Sequence, residues 1–434
     1  MATLQLLVFR CVVSVALFGA VFLTTLEWRR INALPDIPAN ALLFNPYNAD
    51  TRMARIRELV QAGDEASLTE AGRLAEIGQR VHQRDARFSS VLGGLALDAG
   101  DEMRARALFA DAKAKMPTER GALRGTVVFA LADGDWQTAA ENLYLLTIRW
   151  PSELGTVLPL FSTIASEPDG LAAITEQFEG RSIARRRLTA SLIQQPETQA
   201  LAARLITEWA PGGIGDLEQA KNGLLRRLLD QNRVSEAVLL DQFGSTSPDD
   251  GSGGFVRNGA FQTEPDGSPF DWSFRAKPGV SVTRQSVPAG EFLEELVANA
   301  VDRQTTSEAR ASVMRLSFLD SPVELNTGVQ SLVVPPGRYR LTVISRASAD
   351  HIAPAPVFLE FRCWRMRDPL GTITLSDVGE EWVQREVDVT VPSGDERCLR
   401  QLVAVRNPFL APSWRNRYSG EIDIALVRVT RLPS

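Results

Sequence analysis

Four aromatic residues, Trp364, Trp382, Trp414 and Tyr418, are the side chains best suited by type to bind a ligand. A flat ring offers an apolar face to the C–H face of a pyranose, so these residues are candidate glycan platforms. Trp414 and Tyr418 lead the set. They lie in Ala411-Pro412-Ser413-Trp414-Arg415-Asn416-Arg417-Tyr418, a loop-like stretch between strand patterns, where binding residues concentrate. Trp272 and Tyr339 fall at strand positions that point into a core. Two arginines, Arg87 and Arg124, recur on helical segments and could hold an acidic group of a protein ligand.

Catalytic chemistry has less material, and no catalytic residue is assigned. The two histidines, His82 and His351, lie far apart, which removes most imidazole-based catalysis and most zinc sites. Acids occur in adjacent pairs (Asp249-Asp250, Glu294-Glu295, Glu380-Glu381), and neighbours in sequence rarely face each other across a substrate. A glycosidase needs two carboxyls about 5 to 10 Å apart across a cleft. Gly212-Gly213-Ile214-Gly215 lacks the dinucleotide spacing and reads as a loop. Asp266 and Asp271 could hold calcium but also fit a plain turn, so no metal and no cofactor is expected. A net charge of -6 argues against nucleic acid as a partner, because phosphate binding needs a basic face.

Two kinds of element must position these residues. From Ser89 to Pro151 a helical pattern is written twice: Gly100-Asp101 returns as Gly134-Asp135, Ala105 as Ala139, Phe109 as Leu143 and Pro117 as Pro151. Each pair is 34 residues apart, the period of a tetratricopeptide repeat. Gly63-Asp64 with Ala71 and Leu74 marks a third, imperfect copy upstream. The first helices of the two clear copies should face an inner groove with Arg87, Ser90, Gly94 and Asp98, then Arg124, Val128 and Leu131. Helical patterning continues over 51–242, with helices at 154–165, 171–178, 197–209 and 217–230.

At the N-terminus, Cys11 to Leu26 is uncharged and apolar, and extended to Trp28 it reaches the lower limit for a membrane helix. Residues 1–30 are therefore read as an anchor, with membrane contact through residues 4–28, and residues 31–50 as a proline-bearing spacer. A cleaved signal peptide is the alternative, although Phe18-Gly19-Ala20 makes a poor cleavage site.

Residues 243–254 form a Gly/Ser/Asp-rich linker. Beyond it, in 255–434, the period changes from 3.6 to 2. About ten strands are expected: 270–275, 280–284, 313–318, 331–334, 339–345, 357–366, 372–375, 383–391, 399–405 and 421–430, interrupted by a helical-looking insert at 289–301. The fold class is thus a multidomain chain, α then β: a transmembrane helix, a tetratricopeptide-like α-solenoid and an antiparallel β-sandwich of jelly-roll type.

Asn258-Gly259-Ala260-Phe261, Pro269-Phe270-Asp271-Trp272 and Pro335-Pro336-Gly337-Arg338-Tyr339 resemble the entry strands and the Pro-Gly-x-Tyr strand of carbohydrate-binding jelly-rolls. Together with the anchor and repeats, the chain resembles proteobacterial envelope proteins associated with exopolysaccharide loci. That resemblance implies an envelope scaffold and brings no catalytic residue with it. Cys363 and Cys398 fall on neighbouring strand patterns; a disulfide between them would need an oxidising compartment, while two buried thiols would not. The bridge favours the inner membrane, single-pass, with the bulk of the chain periplasmic.

The expected function is non-enzymatic. The repeats would bind a protein partner, and the sandwich would bind polysaccharide or pack on the repeats, in exopolysaccharide assembly or export. A glycan hydrolase or lyase with acids at the domain interface is the contrasting reading.

Overall fold

The structure is a computed structural model that describes residues 47–212, 215–242, 254–275, 277–288, 301–302, 310–411 and 413–433. The expected membrane anchor, most of the spacer and nearly all of the linker and of the helical insert lie outside those residues. No described helix is long and apolar enough to cross a membrane. The chain clusters into two compact units, one ending at Ala184 and the other beginning at Arg185.

The first unit is built from helix pairs: α1 (Ala49–Ala62) with α2 (Glu65–Val81), α3 (Ala86–Asp98) with α4 (Glu102–Lys115), and α5 (Arg120–Asp133) with α6 (Trp136–Arg149). The Gly-Asp signature does the same work in every pair. Gly63, Gly100 and Gly134 all take a left-handed backbone (φ 74°, 77° and 71°) that a side chain would disfavour. The Asp that follows caps the next helix: Asp64 accepts from the Ser67 amide, Asp101 from Arg104 and Asp135 from Thr138. Phe109 of α4 accounts for the small residues packed around it. A Cβ on Gly93 or Gly125 would come within 2.8 or 2.4 Å of its ring, so α3 and α5 close on it only because both positions are glycine. Helices α7 (Leu154–Ala165) and α8 (Pro168–Phe178) follow, as the sequence pattern leads one to expect.

Helix α9 (Ser182–Gln194) spans the boundary between the units. The second unit continues with α10 (Gln199–Trp209), α11 (Glu218–Asp230) and α12 (Val234–Gln242), then the strands. These are β1 (Val280–Pro288), β2 (Val301–Asp302), β3 (Arg310–Ser321), β4 (Asn326–Leu332), β5 (Gly337–Ala347), β6 (Phe358–Cys363), β7 (Gly371–Thr374), β8 (Val383–Val391), β9 (Gln401–Arg406) and β10 (Tyr418–Arg431). One sheet runs β1-β3-β10-β5-β8 with β2 on β3; the other runs β4-β9-β6-β7, and every pairing is antiparallel.

Alternate residues of both sheets, among them Leu316, Tyr339, Leu341, Phe361, Val403 and Val427, meet in one core. Tyr339 enters it as expected, its hydroxyl donating to the Pro335 carbonyl at 2.6 Å. Cys363 and Cys398 are joined by a disulfide that ties the end of β6 to the turn before β9.

One expected strand is absent: 270–275 is a turn-rich entry segment. Asp271 accepts from the amides of Asp266 (3.1 Å) and Trp272 (2.7 Å), satisfying backbone groups that a strand ladder would otherwise take. Trp272 still plugs the core, 5.2 Å from Phe261, with its indole N–H on the Asn258 carbonyl at 3.0 Å.

Candidate functional site

In the first unit, α1, α3 and α5 line a groove of about 650 Å³. Arg87, Ser90, Gly94, Asp98 and Arg124 line it, whereas Val128 and Leu131, expected on the same face, are not part of the lining. Met53, Val91, Leu95, Met116 and Trp150 supply an apolar surface that the pattern did not bring together, and Arg57 and Arg120 add cations. The signal for Trp150 was its place before Pro151, at the seam between repeats. Its indole N–H donates to the Thr118 carbonyl at 2.9 Å, which fixes the ring. An added Cβ on Gly94 would meet nothing within 4 Å, so the groove is open over the middle of α3.

The two expected arginines have different surroundings. Arg87 is already engaged, 2.6 Å from Asp85 and 2.9 Å from Asp50, and its hydrogen bond to Asp85 holds the guanidinium more firmly charged than usual. It braces the start of α1 against the cap of α3. Arg124 shares Glu153 with Arg120, at 3.6 and 2.9 Å, so two cations draw on one carboxylate. An acidic group of a ligand would find its electrostatic partner there rather than at Arg87.

In the second unit the four expected aromatic platforms part company. Tyr418 is fully buried, stacked 5.5 Å from Phe318, and is corrected from binding residue to core residue. The reason is register: Tyr418 opens β10 opposite Ser321, so its ring turns inward between the sheets. Trp382 packs against Val313, Ile344 and their neighbours, with the Arg346 guanidinium 4.5 Å from its ring centre. Trp364 is 40% exposed, backed by Arg400 at 4.2 Å, and follows the disulfide-linked Cys363. Trp414 is 71% exposed on the β9–β10 loop.

The sheet faces offer little beyond these rings. Ser331, Glu360, Leu402 and Ala404 on one sheet, and Val313, Ile344, Asp423 and Leu426 on the other, are buried. Asp423 is held by Arg315 (2.7 Å) and Arg346 (3.0 Å) from the two strands beside it, a charge ladder across the sheet.

Asp266 and Asp271 spend their oxygens on turn amides, and burial raises the Asp271 carboxyl above its ordinary range. Among the described residues no group of His, Cys, Asp and Glu is arranged to hold a metal. His351 is pinned by a 2.9 Å contact between Nδ1 and the Ser419 carbonyl, and burial lowers its affinity for a proton.

No family model matches the chain, and no curated protein matches it. Among solved structures it is similar to the Stig cyclase Fisc of Fischerella sp. TAU, with 13% identity over 41% of this chain and 96% of that one and a TM-score of 0.25. A structure described as CBM4 is 14% identical over 41% of this chain and 99% of that one, with a TM-score of 0.24. The CBM22-1 xylan-binding domain of Paenibacillus barcinonensis Xyn10C is 10% identical over 37% and 87%, with a TM-score of 0.22. Likenesses at this level carry no argument about ligand or activity.

Proposed function

We propose that this chain is a non-enzymatic envelope scaffold, anchored once in the inner membrane with its bulk in the periplasm, that grips a partner protein in an exopolysaccharide assembly or export machine. The groove of α1, α3 and α5 carries the reading. Its apolar lining beside an arginine pair sharing one acid suits an extended polypeptide that presents apolar side chains and a carboxylate. The Gly-Asp hairpins at a 34-residue period favour repeats of the tetratricopeptide type, whose inner helices would form that groove. The strand order of the two sheets supports the jelly-roll reading of the sandwich.

The test is a photo-crosslinking side chain at position 94, where the groove is open, in cells that carry the protein's own genetic neighbourhood. A polypeptide adduct is expected that is lost with Leu95→Glu and retained with Met103→Glu on the exposed side of α4. An adduct indifferent to Leu95→Glu, or none at all, would count against the scaffold.

A second reading concerns polysaccharide, and Trp364 favours it. Its ring lies on the Arg400 guanidinium, directly after the disulfide-linked Cys363, and keeps a partly open aromatic face. Trp364→Ala should abolish retardation of the protein in gels containing its polysaccharide while leaving the melting temperature within about 3 °C of wild type, as for a surface change. Unchanged retardation would remove Trp364 from the function.

A further inference from the structure

Four large apolar side chains stand out at one end of the sandwich: Leu319, Ile352, Phe409 and Trp414, exposed by 64, 63, 70 and 71%. The pairing places two of them together, and the β9–β10 loop brings the other two to the same end. Ser419 of β10 is opposite Leu319 of β3 on one side and bridges to Ile352 of the β5–β6 loop on the other. Phe409 and Trp414 belong to the β9–β10 loop that leads into Ser419. The start of that loop is fixed at this end by Asn407, which donates to the Val323 carbonyl and accepts from the Leu325 amide. Trp364 is at the opposite end, after β6 and beside the start of β9.

We propose that this end of the sandwich inserts its apolar side chains into the surface of a lipid bilayer. Exposed apolar patches of this kind mark protein or membrane contacts. The shape decides between them: each side chain is more exposed than buried, so the four form projections rather than a groove. A soft interface accepts projections without a matching concave partner. Trp settles at the headgroup level and Phe and Leu bury at the acyl boundary below it, and Arg415, 5.2 Å from the Trp414 ring centre, can extend to the phosphates while its stem stays apolar. Charge is not the driving force. Arg417 is paired with Asp320 at 3.0 Å, and Asp350 and Glu324 share this end, so attachment should persist in high salt. A bilayer is at hand because the apolar run from Cys11 to Leu26 already draws the chain to one; the inference rests on that part of the proposed function.

The test uses the full chain in vesicles of phosphatidylethanolamine and phosphatidylglycerol, with part of the lipid brominated near the headgroup. The emission difference between wild type and Trp414→Phe isolates Trp414. That difference should be quenched by the brominated lipid in low and in high salt, and the quenching should be lost with Leu319→Ser plus Ile352→Ser in a protein whose melting temperature is retained. No quenching of the difference emission overturns the proposal, whether or not the chain remains with the vesicles. If the chain fails to float with vesicles at all, the anchor reading fails as well. Protection of Trp414 from oxidation by soluble polysaccharide but not by vesicles also overturns it, in favour of a glycan site.

Discussion

Replacing both Cys363 and Cys398 by serine should lower the stability of the sandwich by about 4 kcal/mol. The bridge spans a sequence separation of 35 residues, and closing a loop of that size in the unfolded chain costs about this much in the chain-entropy account. In a unit of this size the melting temperature should fall by about 10 °C. The double substitution is the informative variant, because one serine alone would leave an unpaired thiol in a site where Cys363 is fully buried and Cys398 nearly so. Reductant added to the folded protein should act slowly, since the sulfurs are reached only on opening. A double-serine variant that melts within a degree or two of wild type would show that the bridge adds nothing. Mass mapping of the two peptides from cells, with and without reductant, reports the compartment: a bridged peptide favours the periplasm, and two free thiols would remove the main support for that placement.

Asp241→Ala is the second large effect, with an expected loss of about 3 to 5 kcal/mol for removing one member of a buried charged network. Asp241 is the penultimate residue of α12 and is itself buried. Its carboxylate pairs with Arg257 and accepts from the Ser268 hydroxyl at 3.2 Å. Its backbone carbonyl accepts from the ammonium of Lys221 at 3.0 Å, and burial lowers the pKa of that lysine, with the Asp241 charge opposing the shift.

Around this centre Asn222 donates to the Asp266 carbonyl at 3.0 Å and Arg226 to that of Gly267. The alanine would leave Lys221 and Arg257 close together with Asp266, 3.8 Å from Arg257, as the remaining acid near both. Because α11, α12 and the entry segment 255–271 all contribute, helical and sheet signals should weaken in one transition. Asp241→Asn, which keeps an acceptor but no charge, should recover part of the loss. A cost for alanine below about 1 kcal/mol would mean that the network is a surface decoration.

Local rules carried much of the architecture into the sequence. The Gly-Asp pairs at helix starts, the small residues around Phe109, and the change of period after residue 254 are dictated by backbone sterics and by the side-chain geometry of helix and strand. They were readable because each acts over a few residues. The inner positions of α3, and Arg124 on α5, followed from the same periodicity. No strand forms over 270–275, because Asp271 captures amides within the turn, a choice that alternation of residue types does not reveal.

The candidate sites depended on the tertiary structure. Tyr418 and Trp414 are four residues apart in one polar stretch, yet one is in the core and the other in solvent, because register at the start of β10 turns a single ring inward. Arg87 and Arg124 look alike in sequence; only packing gives Arg87 two carboxylates of its own and makes Arg124 share one. The apolar projections at the loop end come from β3, the β5–β6 loop and the β9–β10 loop, up to about a hundred residues apart, and no pattern within one segment could assemble them. The sequence alone determined most of the elements, because those preferences are local; the fold decided which side chains meet, because that is set by pairing and burial between distant segments.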